Sequence, residues 1–225
     1  MRQPLPMTLW LALAAALLGL LFMLIGDEAL EGDSRGFDLL LSQRAQAWRV
    51  SHPLLADALR DISGLGSFSV LTLFTLLTVG YLLMLARGKT ALVVTVLVLA
   101  ATALVDVFKR AFGRLRPDAT LADFAVAGMS FPSGHATGSA IVYFTLGALV
   151  ASTRHHPRER VFVIATAALM TLLVGMSRVL LGLHWATDVL AGWAFGLGWC
   201  LLGLLLDRWW NGALEPRIEG RDDRS

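Results

Sequence analysis

Long apolar runs alternate with short polar joints along this chain, and six of the runs approach the length of a membrane helix. A helix needs about 20 mostly apolar residues to cross the hydrocarbon core of a bilayer. The runs fall roughly at 7–25, 67–86, 90–108, 135–152, 160–177 and 186–206. They predict an all-α fold: a polytopic membrane bundle of six transmembrane helices with both termini on one side. The first run, Met7 to Ile25, follows Arg2 but is longer than the about 7–15 residues of a secretory h-region and has no small-x-small cleavage site after it. It reads as a span.

Between the first two runs lies a long connection, Gly26 to Gly66. Phe37, Leu40, Leu41 and Trp48, then Leu54, Leu55, Ala58, Leu59 and Ile62, recur there at helical spacing among polar residues. This predicts one or two amphipathic helices lying along the interface, either as a cap packed on the bundle or as a lid that meets lipid. Residues 1–208 then form the membrane domain, with 26–66 as its extracytoplasmic loop and 209–225 as a polar cytoplasmic tail.

Composition agrees with a membrane chain. Hydrophobic residues make up 56% and charged residues 16%, with a mean hydropathy of +0.66, against about 45–50% and about 25% in soluble domains. The pI near 9.1 accompanies a net charge of only +2, with no block of like charges, so nucleic acid is not an expected partner. Cys200, the single cysteine, lies inside an apolar run and reads as packing; no intrachain disulfide can form.

Orientation rests on the loop cations. They divide almost evenly between the two sides, but the short loops "ARGKT" and "RHHPRER" are basic, whereas most of the acids lie on the opposite side. That places the N-terminus and these two loops in the cytoplasm, in a cell inner (plasma) membrane. His155 and His156, in the second of them, read as solvated.

Three places break the apolar pattern, and the predicted topology puts all three at the outer level. The third span ends in "DVFKRAFGRLRPD", the fourth begins at "FPSGHATG", and "SRVLLGLHWATD" joins the last two. Intramembrane charges are costly and mark paired groups or functional sites. Taken alone, Lys109 and the arginines could snorkel to headgroups, and Ser133 with Pro132 could simply start a helix, Ser as cap and Pro in the first turn. Asp188 lies one helical turn from His184 and can hold its imidazole in one tautomer. Together, several cations and a helix N-terminus beside Gly134 form a site for a phosphoryl group. His184 supplies a nucleophile or base and His135 a second imidazole to protonate a leaving oxygen.

These residues closely resemble the three-part signature of the type 2 phosphatidic acid phosphatase superfamily. Lys109 is followed after six residues by Arg116-Pro117; then comes Pro132-Ser133-Gly134-His135; then Ser177-Arg178, five residues, His184, three residues and Asp188. The resemblance implies that His184 attacks phosphorus to form a phosphohistidine, that Asp188 orients it, and that His135 protonates the leaving oxygen. It implies that Lys109, Arg116, Ser133, Gly134 and Arg178 hold the phosphoryl oxygens, with no metal and no cofactor. Arg110 and Arg114 lie outside the signature and read as headgroup contacts, or as partners of a second phosphate. Gly192 with Gly196, and Gly134 with Gly138, read as sites of close helix packing rather than dimerisation.

The expected activity is hydrolysis of the terminal phosphate of a membrane lipid, most directly undecaprenyl diphosphate to undecaprenyl phosphate. Phosphatidate or phosphatidylglycerophosphate hydrolysis, and phosphotransfer to an acceptor hydroxyl, are the alternatives within the family. An ion- or proton-coupled transporter is the reading from another class, and it leaves three ordered motifs without a reason.

Overall fold

The computed structural model describes residues 7–124 and 126–212; Arg2 and the polar tail from residue 213 onward lie outside them. Among the described residues the structure is helical, without strands. In order the helices are α1 (Met7–Glu31), α2 (Arg35–Ser51), α3 (Pro53–Gly64), α4 (Phe68–Met84), α5 (Gly88–Phe112), α6 (Gly134–Ser152), α7 (Pro157–Leu180) and α8 (Ala186–Gly212).

Five helices, α1, α5, α6, α7 and α8, are long and apolar enough to cross a membrane, and a bent pair, α3 with α4, brings the number to six if it counts as one span. The protein is a multi-pass membrane protein. Several helices overrun the apolar segments that mark them: α1 continues to Glu31, α5 to Phe112 and α8 to Gly212. A helix satisfies its own backbone, so it can continue into the interface after its side chains turn polar. Lys109 and Arg110 therefore sit on the last turn of α5, where cations complement the helix dipole.

Helix α6 is central, packed against α7 and α8, and α1 lies along α8. Glycines permit the closest approach. A Cβ on Gly192 would meet the Ser133 carbonyl oxygen at 2.9 Å, and one on Gly196 would meet the Thr137 carbonyl oxygen at 2.7 Å. Both glycines thus serve packing of α8 on α6, where lipid offers no hydrophobic drive and contact depends on close fit. Toward the end of the bundle that carries the polar motifs, Phe22, Phe108, Phe112, Phe131 and Phe195 form one aromatic cluster, with centroids 4.6 to 6.4 Å apart. Each such pair contributes about 0.5–1.5 kcal/mol beyond its buried area. The cluster ties α1, α5 and α8 to Phe131, three residues before the start of α6.

The amphipathic connection folds as α2 and α3, and several of its polar side chains face inward, most of them on α2. Asp38, Ser42, Arg49 and Ser63 are buried, while Phe37, Leu40, Leu54 and Leu55 are exposed. Arg49 donates to the carbonyls of Leu180 and Leu121, so α2 pins the two loops that carry the polar motifs.

Candidate active site

The polar motifs meet at one end of the bundle because each helix there is stopped by a local device. Gly113 ends α5 in the left-handed conformation, φ 58°, which turns the chain toward Arg114 and Arg116. Ser133 caps α6, its hydroxyl accepting from Ala136 N at 3.5 Å, and its own N–H donates to the Asp188 carbonyl at 3.0 Å. Pro132 precedes that cap instead of lying in the first turn as expected, since the cap takes the position between it and the helix. Gly182 ends α7 with φ 67° against the Leu121 backbone, where a Cβ would collide. His184 follows in the short joint before α8, and Asp188 lies in the first turn of that helix.

His184 and Asp188 are almost wholly enclosed. His184 Nδ1 lies 3.4 Å from Asp188 Oδ2, and Arg116 Nη1 lies 3.0 Å from His184 Nε2. A guanidinium has no acceptor, so Nε2 accepts and the ring proton resides on Nδ1, facing the carboxylate. That tautomer leaves a lone pair on Nε2, aimed at a cation. Burial pushes the imidazole down to about 4, outweighing the hydrogen bond and the charge of Asp188, which raise it. Arg116 also donates to the carbonyls of Leu183 at 2.7 Å and Gly128 at 3.2 Å.

Asp188 is saturated with donors. Oδ2 accepts from the Ser130 hydroxyl and from Trp185 N at 2.9 Å, and Oδ1 accepts from Arg114 Nη1 at 2.7 Å. Arg178 is buried and gives Nη1 to Ser63 Oγ at 2.8 Å, while its Nε is buried without a partner. An orphaned guanidinium N–H suits an anion. Lys109, Gly134 and His135 lie together at a cavity of about 220 Å³ between α4, α5 and α6, whose other walls include Leu71, Val105 and Ile141.

The structure thus brings His184, Asp188 and Arg116 into direct contact, ties Ser133 to Asp188 through the backbone, and gathers Lys109, Gly134 and His135 on one cavity. The Arg178 side chain makes no hydrogen bond to these residues, its partner being Ser63 on α3, but its carbonyl accepts from His184 N at 3.3 Å. Arg114 departs from the sequence expectation. It is not a headgroup contact: its side chain is only 13% exposed and bridges Asp38 and Asp188, because two buried carboxylates need a shared cation. Arg110 makes no such bridge and is exposed. Sequence reasoning missed Ser130 and Asp38. Ser130 carries a faint signal, a small hydroxyl residue just before Phe131-Pro132, and Asp38 only that of an acid on an amphipathic helix.

The family model described as the PAP2 superfamily matches residues 89–211, which span the fifth to eighth helices and the residues of this site other than Asp38 and Ser63. The chain belongs to the PAP2 superfamily. Among PAP2 relatives, phosphatidylglycerophosphatase B of Bacillus subtilis is 32% identical over 66% of this chain and 73% of its own length. Lipid A 1-phosphatase of Rhizobium johnstonii is 41% identical over 44% of this chain, and the match spans only 40% of that longer protein. The crystal structure of a transmembrane PAP2 type phosphatidylglycerolphosphate phosphatase from Bacillus subtilis superposes with a TM-score of 0.78 at 26% identity, covering 90% of this chain and 98% of that one. The PAP2 assignment and the helical membrane fold therefore agree.

Proposed function

We propose that this protein is an integral membrane lipid phosphatase acting through a phosphohistidine at His184. The observation that carries the reading is the His184 tautomer, with a proton on Nδ1 facing Asp188 and a lone pair on Nε2 facing Arg116. A phosphoryl group entering beside Arg116 takes over its guanidinium and presents phosphorus to Nε2. The N–P bond forms as the P–O bond to the lipid breaks, and His135 gives its proton to the departing oxygen. Water then attacks phosphorus, returns a proton to His135, and breaks the N–P bond to release phosphate.

Lys109, Arg116 and Arg178, with Ser133 and the backbone at Gly134, hold the three phosphoryl oxygens as charge redistributes. Imidazole and guanidinium groups complete this cycle, which calls for no metal. The apolar cavity beside His135 receives the lipid chain. The substrate is undecaprenyl diphosphate, taken from the outer leaflet at the periplasmic face. A second reading, phosphatidylglycerophosphate, is supported by the similarity to Bacillus subtilis phosphatidylglycerophosphatase B.

Phosphate release by the purified protein in detergent, with a chelator present, tests the reading. Undecaprenyl diphosphate, phosphatidylglycerophosphate and phosphatidate are offered in parallel, with His184→Ala beside the wild type. We expect turnover that His184→Ala reduces by roughly 10⁴-fold or more, as for other covalent nucleophiles, and the ratio of rates ranks the substrates. Turnover retained by the mutant would rule out the phosphohistidine. Rates abolished by chelation and restored by Mg²⁺ would rule out the metal-free cycle.

A further inference from the structure

The phosphatase signature does not include Arg114 or Asp38, yet both are built into the carboxylate that faces His184. Arg114 Nη1 donates to Asp188 Oδ1 at 2.7 Å and to Thr187 Oγ1 at 2.8 Å; its Nη2 donates to Asp38 Oδ2 at 2.7 Å. Asp38 in turn accepts from Thr187 N at 3.1 Å and from Thr187 Oγ1 at 2.6 Å. Asp38 is 1% exposed and Asp188 0%. The guanidinium lies over the Trp185 ring, 5.8 Å from its centroid, and the Trp185 indole is held by the Leu115 carbonyl at 2.9 Å.

Two consequences follow from this row of Asp, Arg and Asp. A carboxylate bonded only on its His184 side could rotate about χ2; Arg114 at Oδ1 leaves Oδ2 directed at the imidazole. Arg114 by itself would also compete with the imidazolium for the charge of Asp188, and Asp38 on the far side of the guanidinium offsets that competition. Asp38 further accepts the backbone N–H of Thr187 in the first turn of α8, an anion at a helix N-terminus. It thereby fixes the turn from which Asp188 projects.

We propose that Asp38 and Arg114 are positioning residues for the His184–Asp188 pair, which makes the outer helix α2 part of the catalytic apparatus and not merely its cover. The inference rests on His184 being the nucleophile. It differs from a plain structural role in one respect: the bridge holds a carboxylate for chemistry, so activity and stability must separate when the bridge is removed whole.

The test compares wild type, Asp38→Asn, Arg114→Gln, Arg114→Lys and the double variant Asp38→Asn/Arg114→Gln in detergent, reading Tm together with kcat and KM for phosphate release from undecaprenyl diphosphate and phosphatidylglycerophosphate. Arg114→Gln leaves both Asp38 and Asp188 buried without their shared cation, so both Tm and kcat fall. The double variant removes the unpaired charge at Asp38 while Asp188 keeps Ser130 Oγ and Trp185 N as donors, so its Tm recovers in part. Its kcat stays down by about 10–100-fold, the usual loss when a group that orients a catalytic ligand is removed, with KM within about threefold. Arg114→Lys, a point charge without the fork, restores kcat in part.

A double variant that regains kcat along with Tm overturns the positioning role while leaving the phosphatase reading intact. So does an Asp38→Asn protein with wild-type kcat. A wild type that releases no phosphate from either lipid overturns both. If Arg114→Gln does not fold, Asp38→Asn and the double variant still carry the comparison.

Discussion

The two sides of the bundle are packed by different rules. On one side α1, α6, α7 and α8 approach closely: Gly192 and Gly196 bring α8 onto the α6 backbone, Trp193 donates to the Thr171 carbonyl at 3.3 Å, and Phe22, Phe131 and Phe195 fill the end nearest the polar motifs, joined by Phe108 and Phe112 from α5. That side, with its joints, carries His184, Asp188, Arg116 and Arg178. On the other side α4 and α5 stand off from α6 and leave the cavity of about 220 Å³, with Lys109 and His135 at its rim. On the proposed function, the difference gives the two halves separate tasks. A nucleophile and its oriented carboxylate need fixed geometry to within fractions of an ångström, whereas a long flexible chain needs room.

The sharpest way to break this comparison is to remove the cation that joins the two halves' chemistry at Nε2. Arg116→Gln should lower kcat by roughly 10²–10³-fold, the usual cost of one donor aimed at developing charge. Its effect on Tm should be small, since the two carbonyls it also serves lie in a loop. Steady-state kinetics on phosphatidate decides. A loss confined to KM would mean that Arg116 binds the ground state only, and that the contact with Nε2 at 3.0 Å has no counterpart in the transition state.

The rigid half was far more legible in sequence than what supports it. The pairing of His184 with Asp188 follows from one helical turn of spacing, and the apolar runs announce the membrane helices by length alone. Arg114 was misplaced because its partners are remote: Asp38 lies on α2 and Thr187 on α8, and no local periodicity links them. Ser130 was silent for the same reason, since its hydroxyl gains meaning only when the α6 and α8 termini meet. The interior face of α2 was legible only in part. Its apolar residues mark an amphipathic helix, but the side turned inward is the polar one, with Asp38 and Arg49 buried against loops. Hydrophobic pattern identifies the face that seeks lipid and says little about a polar face that serves buried carbonyls and a carboxylate.

The open half can be tested without touching the closed one. Thr102, on α5 two turns before Lys109, lines the cavity and is exposed. Thr102→Trp should raise KM for a long-chain lipid phosphate by about tenfold, in the range that a filled hydrophobic pocket costs. With a short-chain, water-soluble analogue the same variant should stay within about twofold of wild type in kcat/KM. Equal losses on both substrates would show that the chain lies elsewhere and that the looser packing of α4 and α5 has another purpose.

The smallest effect sharpens the comparison most finely, because it reports whether the closed half stays closed around the imidazole. Burial lowers the pKa of His184 to about 4 from its ordinary 6.5. In the proposed mechanism the attacking form is neutral, and a lowered pKa extends that form toward acid. The acid limb of kcat/KM, which reports the free enzyme, should therefore fall below pH 6.5 once the substrate's separately measured phosphate titration is divided out. Arg116 itself contributes to the lowering through its charge, so the limb should move upward in Arg116→Gln. A wild-type limb at 6.5 or above would mean that water reaches Nε2 in the free protein. The nucleophile would then belong to the open half, and the division of labour between the two sides would have to be redrawn.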